Sequence, residues 1–191
     1  MPHPLEFVPA PYRKRLFFIF LALTLIIFGV FRYLDEPLRT DAAPNGIVSF
    51  ELAGNQQTAQ AITDSWKRSS LLLSSVAGQA DPTIIQMPYI FAAFGLGFDF
   101  LFMPVYALAL GFGTVLVVQK HIGWVRSLAV LAGYAAFTAA LFDAVENFAL
   151  WQVLLGAVQP NYPAVAAFCA IIKFGLLIFG VSVGLLGWIK K

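Results

Sequence analysis

Asp99, Asp143, Glu146, Asn147 and Lys173 stand inside stretches that are otherwise apolar, and their types are the ones suited to chemistry. Two carboxylates one helical turn apart, Asp143 and Glu146, can divide general-acid and general-base roles, with Lys173 stabilising developing negative charge. The same Asp-x-x-Glu spacing suits a hard cation such as Mg²⁺ or Ca²⁺, with Asp99 as a further oxygen donor. A third use is purely structural. Lys173 and Arg32 would then pair with Asp99, Asp143 and Glu146, and the Asn147 amide would serve any oxygen left over. Three acids against two bases leave about one negative charge, which a proton or a bound cation could neutralise.

Helices crossing a membrane must position these residues. Of 191 residues, 60% are hydrophobic and only 12% charged, about half the charged share of a soluble domain, so lipid has to cover part of the surface. Four apolar stretches reach the roughly 20 residues that a hydrocarbon core of about 30 Å requires. The expected class is an all-α integral membrane protein, a four-transmembrane-helix bundle with a small extracytoplasmic strand-plus-helix segment between the first two spans. The spans are placed at 16–34, 88–119 (including a re-entry segment), 127–150 and 164–188. The tail 1–15, the loop 120–126 and the end 189–191 fall on one side. The cap segment 35–87 and the loop 151–163 fall on the other.

Charge orients the chain. Arg13, Lys14, Arg15, Lys120, Arg126, Lys190 and Lys191 share a side, which the positive-inside rule makes cytoplasmic. Asp35, Glu36, Asp41, Glu51, Asp64 and Asp81 lie opposite, and only Glu6 breaks the segregation. The first span reads as an uncleaved anchor, because the small residues Ala42 and Ala43 come only after several charges. Small size and short loops point to a bacterial cytoplasmic membrane, with both termini cytoplasmic.

Counting from the basic flanks at about 1.5 Å per residue lifts Arg32, Asp99, Asp143, Glu146 and Lys173 to roughly 24–30 Å, a polar layer just beneath the outer interface. Helical spacing agrees. Gly133, Ala136, Ala140, Asp143 and Asn147 form one seam of the third span, and Asp99 is in phase with Tyr106 along the second. Lys173 is in phase with Gly180, Gly184 and Gly187 of the fourth. In the cap, the alternation of Val48, Phe50 and Leu52 predicts a strand over 47–52. Asn55 is expected to cap a helix over 56–67 whose inner face carries Ala59, Ile62 and Trp66. Pro88 is expected to break the chain where it re-enters the membrane.

Several chemistries find no residues. His3 and His121 are both on the cytoplasmic side, so no haem or zinc site is expected in the outer polar layer. The single cysteine, Cys169, offers no thiolate set, no Walker loop is present, and no cofactor is expected. A net charge of +2 gives no reason to expect nucleic acid. Four spans with intramembrane acids resemble in outline the emopamil-binding and sigma-2 receptor group. The run 141–147 matches no motif of that group residue by residue, so no activity or site is carried over.

The reading that results is a non-enzymatic membrane protein binding a lipid or small amphiphilic ligand, or an accessory subunit of a membrane complex. Arg32, Asp99, Tyr106, Asp143, Glu146, Asn147 and Lys173 form its polar layer. One alternative is a lipid-directed enzyme using Asp143, Glu146 and Lys173. The other is a small transporter, which would need a homo-oligomer because the chain shows no internal repeat.

Overall fold

The computed structural model describes residues 1–76, 87–157 and 161–190. Among these residues the regular elements are all helical: α1 (Ala10–Asp35), a short 3-10 turn (Glu36–Leu38), α2 (Ile47–Glu51), α3 (Gln56–Val76), α4 (Met87–Lys120), α5 (Gly123–Leu154) and α6 (Asn161–Ile189). Four helical stretches, Ala10–Leu38, Pro88–Lys120, Gly123–Leu154 and Asn161–Ile189, are long and apolar enough to cross a membrane. The shortest has 29 residues and extends about 43 Å, enough for the hydrocarbon core and both interfaces. The chain is built as a membrane protein. Pro88 stands in the first turn of α4, where its missing N–H has no intrahelical partner to lose, and α4 continues through Pro104. Residues 77–86 of the expected cap segment, with Asp81, lie outside the described residues.

The chain divides into two compact units, one of Met1–Ile27, Leu101–Ala144 and Ile171–Lys191, the other of Phe28–Phe100 and Val145–Ala170. In the first unit, glycines govern how close the helices come. A Cβ on Gly187 would overlap the Val117 side chain, and one on Gly180 would touch Leu110. Gly184 meets nothing, so the contact follows the seven-residue spacing of Gly180 and Gly187 rather than the GxxxG pair.

The same unit seats the segment before α1, which sequence pattern alone left as a tail. His3 Nδ1 accepts the Leu5 N–H at 3.1 Å, so the ring proton sits on Nε2 and is donated to Thr114 Oγ1 at 3.0 Å. Gly133 makes room for that ring, since a Cβ there would overlap His3 Nε2. Leu5 packs on Gly111, Phe112 and Val115. Glu6, the acid on the basic side, accepts the His3 N–H at 2.9 Å and Arg126 at 3.2 Å. The buried Arg13 donates to the carbonyls of Val8 and Glu6.

In the second unit the expected strand over 47–52 is a helix, α2. A lone strand would leave its N–H and C=O groups without a neighbouring strand, whereas a helical turn satisfies them within the segment. Burial follows the helical period: Phe50 and Glu51 are buried with Ile47 beside them, and Leu52 is exposed. The turn begins at Gly46, whose φ of 59° and ψ of −128° lie outside the range of ordinary L residues. A Cβ there would also overlap the Asp35 carboxylate, which accepts the Ile47 N–H at 2.7 Å.

The helix expected from Asn55 is present and longer than 56–67. Asn55 Oδ1 accepts the Thr58 N–H at 2.8 Å, and no glycine or proline interrupts the chain before Val76. Ala59, Ile62 and Trp66 are its buried face. Trp66 stacks edge-on against Phe50 at 5.2 Å and donates its indole N–H to the Leu38 carbonyl at 2.7 Å.

Two outcomes follow. Gly46→Ala should cost about 1–3 kcal/mol, the scale of forced backbone strain, while Gly29→Ala, in helical backbone with open space around it, should leave thermal stability unchanged or slightly raised. Paired melting curves compare them. For the tail, burial is the largest cause of a His3 pKa lowered to about 4; the Glu6 carboxylate opposes this, while Arg13 and Arg126 reinforce it. The unfolded chain therefore binds more protons between about pH 6.5 and about 4, and stability should fall as pH falls through that window. Glu6, whose pKa is lowered chiefly by its hydrogen bond from the His3 backbone, adds its own loss only below the usual carboxylate value of 4.5. The difference in melting temperature between the natural chain and His3→Gln should shift progressively above that value; a flat difference contradicts the assignment.

Candidate functional site

Tyr106, Asp143 and Lys173 come together in the first unit. Lys173 Nζ lies 3.1 Å from Asp143 Oδ1, and Tyr106 donates its hydroxyl to Asp143 Oδ2 at 2.8 Å. Side-chain exposures of 6% and 3% put the ion pair out of reach of water, where a lone charge on a spanning helix costs about 2.5–3.5 kcal/mol or more. The helices deliver these groups by phase. Asp143 follows Ala139 and Ala140 along α5, and Tyr106 sits with Met103 and Ala107 on α4, against the same apolar cluster. Lys173 also holds its ammonium 4.8 Å from the centroid of the Phe174 ring. Each Asp143 oxygen has a donor, and the two formal charges cancel.

Asp99, Glu146 and Asn147 belong to the second unit. Asn147 is fully buried and donates from Nδ2 to Asp99 Oδ2 at 2.8 Å and to the Leu96 carbonyl at 3.3 Å. Both partners are acceptors, which fixes the amide orientation and leaves Oδ1 as the other face. That oxygen is buried and accepts no hydrogen bond from the protein. Glu146, adjacent in the chain, is fully buried. Arg32, on α1, is exposed along its helix.

Among the described residues no three His, Cys, Asp or Glu side chains gather as a metal-ligand set. Sequence reasoning missed His3 and Thr114 as a buried polar contact. The available signal was Gly133 itself, a position on the α5 seam with room for a ring. No family model, curated protein or solved structure matches the chain.

The buried pair makes a direct prediction. Asp143→Asn and Lys173→Met should each destabilise by about 3–5 kcal/mol, because each removes one member of an ion pair held away from water. The double variant should recover part of that loss, giving a coupling of about 1–3 kcal/mol in a double-mutant cycle. Additive melting shifts would mean the two charges do not depend on each other.

Proposed function

We propose that the chain is a non-enzymatic protein of a bacterial cytoplasmic membrane, with both termini cytoplasmic, that binds the polar end of a lipid or small amphiphile. The observation that carries this reading is the buried Asn147 Oδ1, an acceptor with no donor from the protein, on the amide whose other face holds Asp99. Leaving such an oxygen unmet costs about 1–3 kcal/mol, and a ligand that brings an N–H or O–H removes the cost. The open atom is an acceptor and Asp99 holds the other face of the amide, so an amine end, rich in N–H donors, is favoured over a carboxylate one. The acid–base alternative has less support, since both oxygens of Asp143 are already engaged by Lys173 and Tyr106. The arrangement of basic residues along the chain supports the orientation.

The test uses three probes of one chain length, dodecylamine, dodecanol and dodecanoate, added to the purified protein in detergent. The amine should raise the melting temperature most and the carboxylate least. Asn147→Leu should weaken amine binding by about tenfold, the worth of one charge-assisted hydrogen bond. Equal shifts from all three probes would defeat the reading.

An accessory-subunit role is favoured by one separate observation. Only 6% of the apolar window of α1 is buried within the chain, with Leu25, Ile26 and Phe28 on the exposed side. A partner helix in the membrane could use that face. Mild extraction followed by native electrophoresis should then show a complex of fixed stoichiometry, whereas a monomer alone leaves the face to lipid.

A further inference from the structure

The first unit carries a second place where ligand chemistry is legible, remote in sequence from Asn147. A groove of about 310 Å³ lies among the N-terminal part of α1, the C-terminal end of α4 and the C-terminal end of α6. Lys14 and Lys120 both line it, from different helices, and both are exposed. The remaining walls are apolar: Phe17, Phe18 and Trp188, with a leucine and a valine of α4. None of the lining residues is acidic. Two lysines and an aromatic wall lining one groove ask for a ligand with an anionic head and a hydrocarbon body.

Each part of the groove has a cause. Gly187 lets α6 approach Val117, because a Cβ there would overlap that side chain, and its carbonyl bonds the His121 ring at 2.9 Å. Phe17 lies 6.4 Å from Trp188 and 5.2 Å from Phe18, a continuous aromatic lining. Trp188 is largely exposed, as an interfacial tryptophan is when lipid surrounds it. The volume is at the small end for a ligand site, sufficient for a phosphate, its glycerol and the first carbons of a chain, with the remainder lying along the helices.

We propose that the groove between Lys14 and Lys120 binds an anionic phospholipid, its phosphate held by the two ammonium groups and its acyl chain laid on Phe17, Phe18 and Trp188. A free phosphate would use the lysines and leave the aromatic wall idle, so the lipid is the occupant that accounts for the whole lining. Charge does the selecting. A zwitterionic head brings its own cation to the two lysines and gains less from them.

Native mass spectrometry of the purified protein, titrated with phosphatidylglycerol and phosphatidylcholine of identical chains, reads this directly. The natural chain should prefer phosphatidylglycerol by about tenfold or more, given about fivefold per basic residue at a membrane surface. Lys14→Gln and Lys120→Gln should each cost about fivefold, and together bring the two lipids near parity. Lys14→Arg with Lys120→Arg should keep the preference, which separates lost charge from lost fold. Inorganic phosphate in millimolar excess should leave lipid binding unchanged. Equal binding of both lipids, a preference that survives the double Gln substitution, or displacement of lipid by phosphate alone overturns the proposal. Dodecylamine binding, which depends on Asn147, should be unaffected in the double Gln variant, so failure of one assignment is distinguishable from failure of the other.

Discussion

A lysine ammonium on a membrane-spanning helix has no water to fall back on, and Lys173 meets that constraint with the Asp143 carboxylate at 3.1 Å. Tyr106 takes the second carboxylate oxygen, so three helices each contribute one member of the set. The same exclusion of water explains why the four spanning stretches are helices: each satisfies its backbone inside one segment. It also explains why buried polar side chains, from Asn147 to His3, have named partners for their donors.

Small residues decide what can reach those partners. Gly187 brings Val117 close to α6, and Gly111 with Gly133 admits Leu5 and His3. Without a hydrophobic driving force between helices in lipid, close packing of this kind supplies much of the attraction. The segment before α1 uses it to become part of the first unit, with Glu6 drawn to Arg126 and the His3 backbone. The one acid on the basic side is thus a partner to the basic residues around it.

The two polar sets differ in kind. The Asp143 set has a donor for each carboxylate oxygen, and it reads as a fastening. Asn147 keeps a buried acceptor open beside Asp99, and that asymmetry is why binding is assigned there. Lys14 and Lys120 differ again, because they are exposed, so their charges carry no full desolvation cost.

Much of this was legible in the residues. Four long apolar runs determined four spanning helices, Asn55 determined where α3 begins, and the Ala59–Ile62–Trp66 spacing determined its buried face, since these signals are local and the helix period is rigid. The polar types at 99, 106, 143, 146, 147 and 173 marked themselves by standing where charge is expensive. Which acid meets which base is a tertiary matter: Asp143 and Glu146 are one turn apart and equally placed by sequence, and packing sets the 3.1 Å contact of Lys173 with Asp143. Tertiary contact likewise turned 47–52 from an alternating strand pattern into a helical turn, because among the described residues no second strand accepts its hydrogen bonds. It also docked His3 and Leu5 onto α4 and α5, in space left by glycines more than a hundred residues away.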